Sequence, residues 1–174
     1  LVIPILILAY YGAYIFAKNL AKAPRWSKAG LMVSSLFLLY IAFIFVNNNT
    51  LAITPDRWSI YFERPGGNSL NLGEPTLVPR FLHFLLAAVA IGALGRAIFY
   101  RFSKVEDDVK QMQVKRNLKI FGWTTIVQLA IGTWFWLSMP GEVWKDFMGD
   151  NLFATILMGA GWIGALPILH ASFT

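Results

Sequence analysis

The chain has 174 residues, of which 57% are hydrophobic and only 14% are charged. A soluble domain carries about 25% charged residues, and this deficit excludes a disordered protein, which is rich in charge and poor in apolar residues. It also disfavours a water-soluble enzyme, because too few polar side chains remain to cover a surface. The chain has no cysteine, so its own residues form no disulfide, thiolate metal site or iron–sulfur cluster. The composition therefore predicts a polytopic membrane protein.

Uncharged segments alternate with short clusters of charge along the whole chain. A helix needs about 20 mainly apolar residues to cross the hydrocarbon core of a bilayer. Five segments reach or approach this length, so we predict an all-α transmembrane helical bundle with five spans, forming a single domain over 1–174. The predicted helices cover about 1–17, 29–46, 80–100, 104–139 and 152–172.

The charged connections predict the orientation of the chain. The first connection holds four basic residues and no acid, and the third holds seven basic residues and three acids. Because cytoplasmic loops are enriched in lysine and arginine, we place these two inside, the N-terminus outside and the C-terminus inside. The net charge of +6 then follows from topology, and no nucleic-acid partner is expected. We expect a multi-pass protein of the bacterial inner membrane, in contact with lipid and with other membrane subunits.

Two helix starts carry capping signals. Thr54, Pro55 and Asp56 combine a hydroxyl, a proline at the first position and an acid in the first turn, which is typical of a helix N-terminus. Ser103 and Glu106 have the spacing of a capping box, which predicts that the fourth long helix begins near Lys104.

The predicted outer connection, 47–79, is long enough to contain structure of its own. We predict a short interfacial helix over about 55–63, with Trp58, Tyr61 and Phe62 on one face, since tryptophan and tyrosine favour the membrane interface. These three aromatic residues form either an interfacial cap over the helix ends or a lid over a cofactor or lipid-soluble substrate. A docking face for an external partner is the third interpretation.

Ionisable residues within spans are the default functional candidates in a membrane protein, and here the candidates are His83, His170, Arg80 and Arg96. Two histidines on facing helices are a common ligand pair for b-type haem. At 1.5 Å per residue His83 lies about 6 Å deep and His170 about 28 Å deep, so the two cannot hold one iron. Each histidine is therefore a candidate ligand of a separate haem iron or of a chlorophyll-type magnesium, with its partner on another helix or subunit, or a contact to a quinone. Met139 has a suitable depth to pair with His83. The alternative is an interfacial hydrogen bond for each.

Arg80 and Arg96 lie about 24 Å apart along one helix. This spacing is typical of anchors at opposite interfaces, and either arginine could also pair with a haem propionate or a lipid phosphate.

Small residues form stripes on two predicted helices. Such stripes usually allow helices to approach closely, and they also make room for a macrocycle or a quinone ring. The predicted helix-packing residues are Gly92, Gly95, Ala160, Gly161, Gly164 and Ala165.

No phosphate-binding loop, nucleophile elbow or zinc motif occurs in the sequence. The leading hypothesis is an integral-membrane subunit of a respiratory or other electron-transfer complex, at most the membrane component of an oxidoreductase. It would bind haem b or line a quinone site near His83, beneath the outer connection. The alternatives are a non-catalytic structural subunit that packs against partner helices, and a portion of a transporter or channel.

Overall fold

The structure, a computed structural model, describes residues 2–22, 24–63, 66 and 70–174, without the side chains of residues 60 and 61. Within these ranges no β-strand occurs, which confirms the predicted all-helical class. A 3₁₀ turn and a π-helical turn (Asp146–Asp150) complete the regular structure. The helices are α1 (Val2–Lys18), α2 (Arg25–Ala52), α3 (Ser59–Glu63), α4 (Leu77–Phe102), α5 (Asp107–Leu137), α6 (Gly141–Lys145) and α7 (Leu152–Phe173).

Four of these helices, α2, α4, α5 and α7, are long and apolar enough to cross a membrane. Helix α1 is apolar but has 17 residues, fewer than the roughly 20 that a span usually needs. Large apolar side chains such as Ile91 and Ile163 are 68% and 71% exposed, which suits lipid better than water. These features indicate an integral membrane protein. The fifth span and the orientation stay predictions.

The chain consists of two compact units, 1–77 and 78–174. In the first unit, α1 and α2 pack against each other, and Gly12 of α1 lies close to α2. A Cβ atom at position 12 would lie 3.0 Å from the carbonyl oxygen of Gly30 and would also meet the hydroxyl of Ser34. The Ser34 hydroxyl donates to the Gly30 carbonyl at 2.8 Å, so the contact contains no unpaired hydroxyl. That both units belong to one transmembrane domain stays a prediction.

Helix α2 continues past residue 46, where the sequence predicted its end. The polar residues that follow are buried: Asn47 is 1% exposed and Thr50 is 0% exposed. The backbone N–H of Asn71 donates to the Asn47 side-chain oxygen at 2.7 Å, and the Asn71 amide donates to the Thr50 hydroxyl at 3.3 Å. Asn47 and Thr50 therefore do not end the helix, because their side chains bond to the connection that follows it. That connection begins at Ile53.

The connection between α2 and α4 contains two short elements where one helix was predicted over 55–63. A 3₁₀ turn (Pro55–Arg57) precedes α3. Thr54 is the N-cap residue of this turn, with Pro55 at its start and Asp56 in it, as predicted. The predicted hydroxyl bond is wrong, because the Thr54 hydroxyl donates back to the Thr50 and Leu51 carbonyls instead. Phe62 is 82% exposed, and the side chain of Tyr61, the third member of the predicted cap, lies outside the described residues.

The second unit contains α4, α5, α6, the π-helical turn and α7. Helices α5 and α7 pack together at Gly122, where a Cβ atom would lie 2.8 Å from the Phe173 ring and 2.9 Å from the Ser172 Cβ. The indole of Trp123 meets the Phe173 ring edge-on at a centroid distance of 5.5 Å. Glycine at position 122 therefore allows the two helices to meet near the end of α7.

Helix α5 begins at Asp107, three residues after the predicted Lys104. The predicted capping box is wrong, because the N-cap residue is Glu106 and no side chain caps the helix. The Ser103 hydroxyl donates to the Tyr100 carbonyl at 2.8 Å. Ser103 thus bonds to the last turn of α4 and not to the start of α5.

Candidate functional site

A cavity of about 480 Å³ lies within the second unit, a volume in the range of small-molecule and cofactor sites. We call it the His83 cavity. Gln128, Gly132 and Trp136, which line it from α5, lie on the same side of that helix because they are spaced four residues apart. Its walls come from α4 (His83), α5 (Gln128, Gly132, Thr133, Phe135 and Trp136) and α7 (Met158, Gly161 and Trp162), with Met139 and Phe147 from the connection between α5 and α7.

Three polar atoms in this lining are buried and have no hydrogen-bond partner among the described residues. They are Nδ1 of His83, Oε1 of Gln128 and Nε1 of Trp136. Such atoms are rare in folded proteins, and each costs about 1–3 kcal/mol when it is left unpaired. All three line the same cavity, so they are available to a ligand that carries polar groups.

The imidazole of His83 is held against α5. A Cβ atom at position 132 would lie 3.1 Å from Cε1 and 3.3 Å from Nδ1 of this ring, so glycine at this position makes room for the imidazole. The ring also lies 6.3 Å from the Phe135 ring, between centroids. One turn earlier on α4, the guanidinium of Arg80 lies over the same Phe135 ring at 5.0 Å. Two side chains of α4 thus hold Phe135 in the cavity wall.

The connection between α5 and α7 supplies the remaining lining. It contributes Met139, immediately beyond α5, and Phe147, in the π-helical turn. The Trp136 indole is stacked on that of Trp144, in α6, at a centroid distance of 5.7 Å. Gly149 has a φ of 127°, which a residue with a side chain rarely adopts, so the tight return of the chain into α7 requires glycine.

The lining combines aromatic surface with a small set of hydrogen-bonding groups. A tryptophan N–H only donates hydrogen bonds, whereas a glutamine amide both donates and accepts them. In a neutral imidazole one nitrogen donates and the other accepts. Gln128 and Trp136 are about 12 Å apart along the axis of α5. The arrangement fits a flat, mainly apolar ring that has polar atoms on separate edges, and it offers few groups for acid–base chemistry.

The predicted site residues fall in different places. His83 lines the cavity and Arg80 contacts its wall, whereas Arg96 and His170 are exposed and do not line it. Among the described residues no group of three histidine, aspartate or glutamate side chains is placed to bind a metal ion. Haem ligation by either histidine stays a prediction.

The predicted small-residue faces do not coincide with the close contacts seen in the chain. A Cβ atom at Gly92, Gly95 or Gly164 would meet no other described atom within 4 Å, and Gly161, which lines the cavity, is equally open. The close contacts occur at other glycines, including Gly132. Packing of the predicted faces, Ala160 and Ala165 included, against another helix therefore stays a prediction.

Sequence reasoning did not select Gln128, Gly132 and Trp136 as site residues. Their spacing of four residues was visible, and it places an amide, a glycine and an indole on one face of a long apolar helix. Polar groups on such a face inside a membrane need partners. The spacing therefore identifies this face of α5, but it does not identify the helix or ligand that the face contacts.

Comparison of the chain with protein-family models, with curated proteins and with solved structures finds no match. The class is therefore defined by the structure alone: an all-helical protein with four helices able to span a membrane and an aromatic cavity in its second unit.

Proposed function

We propose that this protein binds a quinone in the His83 cavity as the membrane subunit of an electron-transfer complex. The observation that carries the proposal is the group of three buried, unpartnered polar atoms around one aromatic cavity. A quinone is a flat ring with carbonyl oxygens on opposite edges, and each oxygen accepts hydrogen bonds. The quinol form donates from the same positions.

The side chains suit both redox forms of such a ligand. The Trp136 N–H donates to a carbonyl oxygen at one edge of the ring. Gln128 and His83 can each donate to the quinone or accept from the quinol, so both forms stay bonded. Quinone reduction takes up two electrons and two protons, and in this proposal a redox group of a partner subunit supplies the electrons.

Haem b is the second candidate, favoured by one observation. His83 and Met139 line the same cavity, and both residue types serve as axial ligands of haem iron. Iron would engage His83 and Met139 but leave the Gln128 oxygen and the Trp136 N–H without a partner of their own. The quinol form of the ligand accounts for all three unpartnered atoms, because its hydroxyl groups can donate to the Gln128 oxygen and accept from the Trp136 N–H, and we therefore prefer the quinone proposal.

The proposal is tested on protein purified in mild detergent, by solvent extraction for quinone and by reduced-minus-oxidised absorption spectra for haem. His83→Leu is compared with His170→Leu, which changes the same residue type outside the cavity. We expect quinone to be retained by the wild type and by His170→Leu, and to fall at least about fivefold in His83→Leu, because a buried hydrogen bond is lost. A haem spectrum that disappears only in His83→Leu would establish the second candidate. Equal quinone in all three proteins contradicts the quinone proposal, and a haem spectrum that is absent or unchanged in His83→Leu contradicts the second candidate.

We also propose that the chain crosses the membrane five times, with its N-terminus outside and its C-terminus inside. In this proposal it lies in a bacterial inner membrane together with partner subunits. The absence of native cysteine allows clean single-cysteine labelling in intact cells. Lys104→Cys should react only after the membrane is opened, and Asp56→Cys should react with an impermeant reagent from outside. The reverse pattern contradicts the orientation, and equal access of both positions from one side contradicts an odd number of spans between them.

A further inference from the structure

Three basic side chains lie together on the surface of α5 in a hollow of about 800 Å³, on the N-terminal side of the His83 cavity along that helix. We call it the basic hollow. None of the three makes a hydrogen bond or ion pair with the described residues, whereas Lys110, one turn earlier, is bonded to Asp107 at 3.0 Å. The lining of the hollow includes Met112, Lys115, Arg116, Lys119, Ile120 and Trp123.

The hollow lies at a sharp boundary on α5. Lys119 is the last charged residue of the helix, and residues 120–137 carry no charge. The apolar part of the hollow, Ile120 and Trp123, thus adjoins its cationic part. The Trp123 indole is 63% exposed while its ring contacts Phe173 edge-on at 5.5 Å, so an apolar surface is held in a fixed place beside the cations.

We propose that the basic hollow binds an anionic phospholipid, with its phosphate on Lys115, Arg116 and Lys119 and an acyl chain along Ile120 and Trp123. The three unneutralised cations are complementary to the head group, and clusters of basic residues next to a spanning helix attract acidic lipids. The adjoining indole and isoleucine favour a lipid over a free phosphate ion, because a phosphate ion has no apolar part that could pack against them. This site is independent of the quinone proposal.

The test uses Trp123 as a local probe in vesicles of phosphatidylcholine. A small fraction of the lipid is replaced by a brominated lipid, which is phosphatidylglycerol in one sample and phosphatidylcholine in the other. Bromine atoms on the acyl chains quench the fluorescence of nearby indoles. Because the chain has seven tryptophans, Trp123→Phe measured in parallel isolates the Trp123 signal. We expect several-fold stronger quenching of Trp123 by brominated phosphatidylglycerol than by brominated phosphatidylcholine. Equal quenching by the two lipids overturns the proposal.

Charge variants decide whether the hollow is responsible. Lys119→Gln should lower the preference for phosphatidylglycerol about fivefold, the effect of one cation near a membrane surface. Lys104→Gln removes the same charge outside the hollow and should leave the preference unchanged. An equal loss in both variants overturns the site, as does displacement of the lipid by added inorganic phosphate. Lys115→Gln provides a second variant if Lys119→Gln does not fold, as judged by circular dichroism.

Discussion

The amide of Gln128 lies in the C-terminal half of α5, and its oxygen is buried at the His83 cavity with no partner among the described residues. Replacing it by methionine keeps the length and approximate volume of the side chain and removes its polar atoms. The ligand-free protein should then gain stability, because an unpaired buried polar atom costs about 1–3 kcal/mol. Quinone affinity should fall by a similar free energy, which corresponds to roughly 5- to 150-fold.

Two measurements on the same purified protein separate these effects. Titration with a short-chain quinone, followed by quenching of tryptophan fluorescence, reports affinity because Trp136 and Trp162 line the cavity. Thermal unfolding without quinone reports stability. Gln113→Met is the matched control, since it makes the same change on the same helix at a residue that does not line the cavity. A Gln128→Met protein that binds quinone as the wild type does, or that loses stability and affinity together, would refute the reasoning.

Glycine substitutions supply further predictions. Gly132→Ala places a Cβ 3.1 Å from the His83 ring and should weaken quinone binding by about 1–3 kcal/mol as the imidazole is displaced. Gly92→Ala, whose new Cβ enters open space, should leave the fluorescence titration unchanged. An equal loss of quinone affinity in Gly132→Ala and Gly92→Ala contradicts quinone binding in the His83 cavity. Gly122→Ala forces α5 and α7 apart and should lower thermal stability by about 1–3 kcal/mol. Gly164→Ala should be neutral in the isolated chain, and a larger loss there than at Gly122 would contradict the described packing.

The membrane class and the approximate positions of the long helices could be predicted because they depend on composition and on runs of apolar residues. The ends of the helices were less predictable. Asn47 and Thr50 have the composition of a helix end, yet they bond to Asn71, which lies far along the chain. Ser103 has the spacing of a cap and bonds in the opposite direction. In both cases tertiary or competing local hydrogen bonds decide the outcome.

The candidate site was predicted in part. His83 and Met139 were recognised from residue type and depth, and both line the cavity. The contribution of α7 and of Phe147 depends on how the connection after α5 turns back, which involves a π-helical turn and a positive φ at Gly149. No periodicity in the sequence encodes that turn. Unpartnered polar atoms are likewise a property of the packed structure and cannot be counted in a sequence.

Photolabelling tests the central claim most directly, because it asks where a quinone binds. The purified protein is irradiated with an azido-quinone and digested, and the labelled peptides are identified by mass spectrometry. We predict label on the cavity segments around Met139 and Met158, suppressed by excess unlabelled quinone and reduced in Gln128→Met. Label that falls outside the His83 cavity, or that excess quinone does not suppress, would contradict the account.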